Sequence, residues 1–154
     1  MIKKAKKTTA SRPKRLPIDI CTTCGSKMEF VTGPIREVVN GESFWIPDVA
    51  HHNCARCGNK LFSIQICQVM IDQGNALYRQ RHHLLSGADI LAIRKQLKLT
   101  QVQLAALLKL GGNTLSRWES GRIVQSAAMD TLLRLLRDVP GTLPYLRKRA
   151  RSVA

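Results

Sequence analysis

The chain has 154 residues, enough for one domain or two small ones, and its 25 Lys and Arg against 10 Asp and Glu give a formal net charge of +15. Such an excess favours a polyanionic partner, most commonly nucleic acid, although charge alone also allows a ribosomal or anionic-membrane partner. The sequence has no apolar run of about 18 residues and no apolar segment after its basic start, so it predicts a cytoplasmic protein without a membrane span.

The chain begins with a basic segment that has almost no apolar side chain before Leu16. Lys, Thr, Ser and Pro dominate this segment, and such a composition buries too little apolar surface to offset the entropy lost on ordering. We therefore predict a disordered basic tail in residues 1–18. Residues 147–154 form a second basic tail at the other end.

Two copies of one short motif follow, Cys21-Thr-Thr-Cys24-Gly and Cys54-Ala-Arg-Cys57-Gly. In a reducing compartment such pairs indicate a metal site before they indicate disulfides. The glycine after each pair can take a positive φ, so each motif can form a tight knuckle whose backbone amides face the sulfurs. Four thiolates close a tetrahedral shell and leave no position for water, so we predict one structural Zn²⁺ bound by Cys21, Cys24, Cys54 and Cys57.

The other interpretations of these residues are weaker. A redox Cys-x-x-Cys needs a thioredoxin-like βαβ frame, which the sequence does not show. His51 and His52 lie beside the second knuckle and could replace a cysteine ligand, but with four thiolates present we expect them to be surface groups. We expect Cys67 to be a small apolar residue on a helix.

The stretch between the knuckles predicts a β-hairpin. Asn40-Gly41 lies between Val38-Val39 and Phe44-Trp45-Ile46, and this pattern favours a two-residue turn. Residues 19–62 are thus predicted to be a small zinc-binding β domain, because they contain too few large apolar residues to fold on a core alone. We expect the apolar hairpin residues to be incompletely buried, which would suit a protein partner, unless Trp45 packs on the hairpin and the next helix.

The rest of the chain has a helical pattern. Apolar residues at helical spacing predict a linker helix in residues 63–85, with a break at Gly74-Asn75 as a second option. From Ser86 the apolar faces become regular and their separators short, which predicts a compact bundle in residues 86–146. The predicted fold class is α+β, with a small zinc-bound β domain followed by an all-α helix-turn-helix bundle.

The helix-turn-helix is predicted between Leu99 and Gly121. Thr100 can cap a short amphipathic helix, and Asn113-Thr114 can begin a second one that ends at Ser120-Gly121. In such a motif the second helix enters the major groove of DNA by its N-terminal residues. A Leu-rich bundle without a role on DNA is the alternative, which the basic composition disfavours.

From about Ile90 to Leu136 the sequence resembles, without a gap, the Cro/repressor (Xre-type) helix-turn-helix family. The resemblance implies, position by position, that DNA is contacted by Gln101, Asn113, Thr114, Ser116 and Arg117. The side-chain chemistry agrees, because Asn can pair bidentately with adenine and Arg with guanine, while Thr and Ser suit phosphates.

The same resemblance implies an ion pair between Arg94 and Glu119 that ties the first helix of the bundle to the recognition helix. One residue departs from the family pattern, since Lys109 stands where many members have Gly at the turn. We therefore expect a turn of different shape that uses Gly111 instead.

A four-cysteine zinc domain followed by an Xre-type helix-turn-helix is similar to the MqsA/YgiT antitoxins of type II toxin–antitoxin systems, over about residues 20–146. The similarity is carried by both knuckles with their spacing and by Gly-x-Asn-x-x-Ser-Arg from Gly111 to Arg117. It implies an antitoxin that binds double-stranded operator DNA as a homodimer and represses its operon. It also implies a partner toxin, usually an mRNA-cleaving ribonuclease, that the zinc domain neutralises. The basic tail before Cys21 and the linker residues depart from the family.

Two other functions fit the same residues. The first is a stand-alone Xre-type transcriptional regulator whose zinc domain serves only folding or dimerisation. The second is a basic zinc-ribbon protein bound to RNA or the ribosome. An enzyme is the least expected class, because no nucleophile–base set and no open metal position can be named.

Overall fold

The computed structural model of the protein describes residues 19–151, so the predicted tail in residues 1–18 lies outside the described residues. The elements are, in chain order, β1 (Glu29–Val39), β2 (Glu42–Asn53), β3 (Lys60–Leu61), α1 (Ile64–Arg81), α2 (Gly87–Gln96), α3 (Gln101–Leu107), α4 (Thr114–Glu119), α5 (Ala127–Asp138) and α6 (Thr142–Arg151). A three-stranded antiparallel sheet in the order β1-β2-β3 precedes the helices, which confirms the predicted α+β class. Helix α6 extends into the segment predicted as the C-terminal tail. Within the described residues, no helix is long and apolar enough to cross a membrane.

The predicted hairpin is formed by β1 and β2 around a two-residue turn. Asn40 and Gly41 have φ angles of 49° and 84°, and two successive positive φ values are those of a type I′ turn. On its other side β2 pairs with β3 through His52 opposite Leu61 and Asn53 opposite Lys60. The Asn-Gly signal therefore predicts both the turn and its place correctly.

The chain divides into two compact units that do not follow the sequence order. Among the described residues, unit 1 comprises residues 19–35 and 47–69, and unit 2 comprises residues 36–46 and 70–151. The tip of the hairpin thus belongs to the same unit as the helical bundle. The domain boundaries predicted after residues 62 and 85 mark parts of the chain expected to fold independently. Independent folding is a different property from compactness, so these boundaries stay predictions.

Unit 1 has a small core that contains the cysteines themselves. Met28 is buried with Cys21 and Cys54, and Cys24 and Leu61 pack against this cluster. Elsewhere in the described part of unit 1 the buried apolar residues are Ile35, Val49 and Ala50. A core of this size contributes little hydrophobic free energy, which is why so small a unit needs a further stabilising bond.

Unit 2 is built around a larger apolar core. Its buried residues come mainly from α2 to α5, and they are Leu85, Ile90, Ile93, Leu104, Ala105, Leu108, Leu115, Trp118, Leu133 and Leu136. Ser86 caps α2 through a capping box, in which its hydroxyl accepts from the amide of Asp89 at 3.1 Å and its own amide donates to the Asp89 carboxylate at 2.9 Å. The regular apolar spacing after Ser86 thus coincides with most of this core, although Val102 and Leu135, which share that spacing, are exposed.

Helix α1 is continuous, so the alternative of a break at Gly74-Asn75 is wrong. Gly74 is buried against the tip of the hairpin, and a Cβ there would lie 2.9 Å from Cγ of Glu37 and 3.1 Å from Cγ2 of Val39. The glycine therefore permits a close approach between helix and hairpin. This packing explains why a glycine lies in the middle of α1, where helix propensity alone would disfavour one.

A second glycine, Gly87, allows α2 to begin against the end of α4. A Cβ at this position would lie 2.5 Å from the carbonyl oxygen of Glu119 and 2.7 Å from that of Trp118. Both atoms belong to the backbone, so they cannot rotate away as the end of a side chain could. The start of α2 and the end of α4 are thus fixed to each other at this point.

We expect Gly87→Ala to lower the free energy of unfolding by about 1–3 kcal/mol, because the new methyl group must displace backbone. Thermal and urea unfolding followed by circular dichroism would measure the loss. Gly112→Ala is the matched control, since a Cβ there meets no atom within 4 Å. Equal stability of the two variants would contradict the close contact at Gly87.

Candidate metal centre and helix-turn-helix

The two cysteine knuckles share one backbone geometry. In each, the amide of the glycine donates to the carbonyl of the first cysteine, at 2.9 Å from Gly25 to Cys21 and at 2.8 Å from Gly58 to Cys54. The two glycines have φ angles of 70° and 72°, the left-handed conformation that the sequence predicts. The knuckles therefore present their sulfurs in the same way.

The four sulfurs form one cluster. All of them lie within 4.8 Å of one another, with 3.6 Å between Cys21 and Cys57 and 3.5 Å between Cys24 and Cys54. A tetrahedral ion with Zn–S bonds of about 2.3 Å would place its sulfurs about 3.8 Å apart. The four predicted cysteines are therefore positioned to hold one metal ion.

The electrostatics of the cluster also favour a cation. Burial raises the pKa of Cys21, but hydrogen bonds from the amides of its own knuckle outweigh burial and lower the pKa to about 6. The pKa of Cys24 is lowered too, chiefly by hydrogen bonds from Ser26. The amide of Asn59 lowers the pKa of Cys57, but the neighbouring sulfurs and burial outweigh it and raise this pKa to about 12. The neighbouring sulfurs thus oppose the ionisation of Cys57, and a divalent cation bound among them would supply the opposite charge.

The donor set fits zinc. Four soft sulfur donors in a tetrahedral arrangement are typical of structural zinc sites, and a closed shell leaves no position for a reacting water. Cys21 and Cys54 are buried, Cys24 is half-buried and Cys57 is exposed. The fifth cysteine, Cys67, lies in α1 as predicted, and its side chain is exposed.

The two histidines beside the second knuckle are not surface groups. His51 and His52 are only 3% and 1% exposed, so that prediction is wrong. The ring of His51 packs on Phe62 at 5.5 Å and its Nδ1 lies 2.9 Å from the carbonyl oxygen of Val49, while the ring of His52 meets Phe30 at 5.1 Å. Both histidines lie on β2, the central strand of the sheet, and they fill space as aromatic rings outside the sulfur cluster.

In unit 2, α3 and α4 form the predicted helix-turn-helix. Thr100 caps α3 with a full capping box, in which its hydroxyl accepts from the amide of Gln103 at 3.1 Å and its own amide donates to the Gln103 side chain at 2.9 Å. Helix α4 begins at Thr114 and ends at Glu119, and Gly121 follows with a φ angle of 84°. The predicted caps at Thr100 and Gly121 are confirmed.

The turn between the two helices uses Lys109, which corrects the expectation that Gly111 would replace it. Lys109 has a φ angle of 55°, whereas Gly111 does not adopt a positive φ. After this residue the chain closes the end of α3 through a hydrogen bond from Leu110 N–H to the carbonyl of Ala105 at 2.8 Å. A lysine tolerates the left-handed conformation at a cost of about 1–2 kcal/mol, so the turn keeps its shape without a glycine.

Glu119 connects three helices, and its pairing with Arg94 confirms the implied ion pair. Nε and Nη2 of Arg94 donate to the two carboxylate oxygens of Glu119 at 2.5 Å and 3.0 Å. The side chains of Arg94 and Glu119 are only 14% and 6% exposed. Gln101, the first residue of α3, donates its amide to the same carboxylate at 2.7 Å. The end of α4 is thereby fixed to both α2 and α3.

The structure brings four of the five predicted DNA-contacting residues together on α4 and its N-cap, with Arg117 in the last turn of the helix. Asn113 is the N-cap residue but makes no capping hydrogen bond with its side chain, so its amide group is available to a partner. Arg117 is exposed, whereas Thr114 and Ser116 are half-buried. The hydroxyl of Ser116 donates to the carbonyl of Asn113 at 3.0 Å. Gln101 lies apart from this set, exposed at the start of α3, and the contact of all five with DNA stays a prediction.

Sequence reasoning missed a buried polar set in unit 2, namely Asn75, Arg79, Gln125 and Asp130. The members join the second half of α1 and residue Leu85 to the loop after α4 and to the start of α5. The only sequence signal is an Asn and an Arg spaced four residues apart, which places both on one side of a helix. Because this spacing is common on exposed helix faces, it does not distinguish a buried set.

A four-thiolate metal centre that precedes a helix-turn-helix bundle defines a class of small metal-binding regulators. Within that class the chain belongs to the MqsA family, which is described as the antitoxin component of a bacterial toxin–antitoxin system. The family matches residues 19–147 of the chain. The chain is also similar to antitoxin HigA-2 of Vibrio cholerae serotype O1 (strain ATCC 39315 / El Tor Inaba N16961), with 36% identity over 62 residues. That match covers 40% of this chain and 60% of the relative.

We expect the purified protein to contain about one zinc ion per chain, because a closed thiolate shell forms only in the folded unit. Cys54→Ser should abolish zinc binding and lower the thermal stability, since this sulfur is fully buried. Cys67→Ser, outside the cluster, is the matched control and should retain the full zinc content. Elemental analysis that finds less than about a tenth of an ion in the wild-type chain would contradict a structural metal.

A second prediction concerns acid stability. Burial raises the pKa of Glu119, but hydrogen bonds from Arg94 and Gln101 outweigh it, so the pKa lies below its ordinary value of 4.5. The lowered pKa stabilises the fold above pH 4.5, and this contribution is lost as the pH falls through the folded-state value. We expect Glu119→Gln to lower the free energy of unfolding by about 3–5 kcal/mol at neutral pH. The same substitution should flatten the decline of this free energy in acid. Asp138→Asn, which breaks an exposed pair with Arg137, is the control. It should change little in either the free energy of unfolding at neutral pH or its decline in acid.

Proposed function

We propose that the chain is the antitoxin of a type II system that acts in the cytoplasm. It binds double-stranded operator DNA as a homodimer through α3 and α4, represses its own operon, and neutralises a partner toxin through the metal-binding half. The membership in the MqsA family supports the antitoxin role directly. The free thiols of the cluster suit a reducing compartment.

One observation carries the DNA-binding part, namely that α4 is fixed through Glu119 at its C-terminal end while Asn113 and Arg117, four residues apart on one side, are exposed. Glu119 is bonded to both Arg94 and Gln101, whereas Asn113 and Arg117 have no such restraint and face solvent. This is the arrangement that a recognition helix needs, because its first residues must reach base edges from a rigid support. The formal charge of +15 favours the approach to DNA.

A dimer is proposed on grounds of specificity. Helix α4 has six residues and can read only a few base pairs, which is too short a site for a useful preference over other DNA. Two copies on half-sites about 34 Å apart would double the number of base pairs read. The operator should therefore be a palindrome.

We expect Asn113→Ala and Arg117→Ala each to weaken operator binding by about 1–3 kcal/mol and to relax the preference at one position per half-site. Arg56→Ala is the matched control, since it removes the same charge from an exposed position in the second knuckle. Fluorescence anisotropy with a duplex selected from a random pool would give the affinities. If Arg117→Ala behaves like Arg56→Ala, α4 does not read the bases.

The toxin is proposed to dock on unit 1, which exposes several large apolar side chains. These are Ile20, Phe30, Ile64 and Val69, with Ile64 as much as 86% exposed. A surface of this kind on so small a unit suits a protein partner. The tip of the hairpin exposes less apolar surface than the sequence predicts. Phe44 and Ile46 are buried, whereas Val38 and Trp45 are largely exposed.

We expect Ile64→Asp to abolish rescue of growth from the toxin of the neighbouring gene while operator affinity stays within about twofold, because a charge opposes burial in an apolar interface. Gln65→Asp is the control, since it adds the same charge to an adjacent exposed position. If Trp45→Ala loses rescue and Ile64→Asp does not, the toxin docks on the hairpin. If no variant affects growth and the neighbouring product is harmless, the chain is a stand-alone regulator.

A further inference from the structure

We propose that Asn75 and Arg79 of α1 are positioning residues for operator recognition. Neither belongs to the helix-turn-helix, but both bind the backbone where the chain leaves α4. By fixing that end they set the direction in which the exposed side chains of Asn113 and Arg117 face. The inference rests on the proposed DNA-binding function and deepens it.

Asn75 binds the two residues that follow α4. Its side-chain amide donates to the carbonyl oxygen of Gly121 at 3.0 Å and to that of Arg122 at 2.9 Å. Gly121 is the position at which a positive φ turns the chain away from the helix. One amide group thus fixes both carbonyls of this turn, and it does so from a side chain that is only 6% exposed.

Arg79, one helical turn further along α1, binds the helix end itself. Its Nη2 donates to the carbonyl oxygen of Trp118 at 3.3 Å and to that of Ile123 at 2.6 Å, and its Nε donates to Oε1 of Gln125 at 3.3 Å. The last carbonyls of a helix lack partners within the helix, and they carry partial negative charge. The Trp118 carbonyl also accepts from Gly121 N–H at 3.1 Å, so the guanidinium of Arg79 adds a bond that joins the C-terminal end of α4 to the loop after it.

The chemistry of this contact points to positioning more than to stability. Arg79 is a buried cation whose hydrogen bonds go to two neutral carbonyls and one amide oxygen. A cation in such surroundings is costly to bury, and an apolar side chain of similar volume would stabilise a core as well or better. What an apolar side chain cannot do is fix the direction of three acceptors at once, and a guanidinium can.

Helix α4 depends on such outside contacts because it is short. Six residues span about 9 Å, and an isolated helix of that length is not stable. A movement of about 1 Å at its C-terminal end would tilt it by about 6°, since it is only about 9 Å long. Such a rotation can move a side-chain tip by up to about 1 Å, and a base contact of about 2.9 Å that lengthens by that amount is no longer a hydrogen bond.

The test uses the full-length protein and compares Arg79→Lys and Asn75→Ala with the wild type. A duplex enriched by the wild-type protein from a random pool serves as the specific probe, and a scrambled duplex of equal length serves as the non-specific one. We expect the ratio of the two affinities to fall about tenfold in each variant, which is the loss of about one base contact. The non-specific affinity should stay within about twofold, because the phosphate-contacting charge is kept. Arg79→Lys keeps the charge and most of the volume, so it folds if any variant at this position does.

The controls are Arg81→Lys and Gln80→Ala, which make the same chemical changes on the same helix. Arg81 donates to Glu42 on the surface and Gln80 is exposed, so neither should change the ratio. Amide chemical shifts of residues 113–117, recorded without DNA, should move in Arg79→Lys and not in Arg81→Lys.

The outcomes separate this inference from the proposed function. If the pool yields an enriched sequence and Arg117→Ala lowers the ratio, but Arg79→Lys and Asn75→Ala do not, then α4 reads DNA without these residues and the inference is wrong. If both affinities fall together in folded variants, Asn75 and Arg79 are merely structural, which also overturns it. If the pool yields no enriched sequence, the proposed function fails and the inference fails with it.

Discussion

The carboxylate of Glu119 is the point on which the helical unit depends. It closes the six-residue helix α4, and it receives both Arg94 from α2 and Gln101 from α3. Because the carboxylate and the guanidinium are both largely buried, removing either would leave the other as an unpaired charge in the core. Helices α2, α3 and α4 are therefore assembled around one ion pair, with the apolar core of the unit beside it.

Unit 1 solves a different problem by a different bond. It buries few large apolar side chains, and the cluster around Met28 is made largely of cysteines. A metal ion bound there would supply free energy that apolar burial cannot supply in so few residues. The two units thus depend on polar bonds of different kinds, an ion pair in one and a cluster of four metal-binding cysteines in the other. The cysteine knuckles are visible as a local pattern, whereas the Arg94–Glu119 pair is implied only by the family resemblance.

What the sequence predicts correctly is what local chemistry decides. The Asn40-Gly41 turn, the cap at Thr100 and the two knuckles each depend on residues that are neighbours along the chain. What it misses depends on residues that come together only on folding. The burial of His51 and His52 follows from their place on the central strand, and the continuity of α1 at Gly74 follows from the hairpin that packs there. The hydrogen bonds of Arg79 to backbone carbonyls leave only one mark on the sequence, the four-residue spacing from Asn75, and this spacing is common on exposed helix faces.

The contact at Gly87 bears on how far this protein can diverge. Most buried positions face other side chains, and a change at one can be matched by a change at the other, so that the pair varies together. At Gly87 the opposing atoms are carbonyl oxygens of Trp118 and Glu119, which every amino acid has alike. No second substitution can make room for a larger residue. In a comparison of diverged sequences, position 87 should therefore be invariant without covarying with any other, a pattern that methods based on paired changes would overlook.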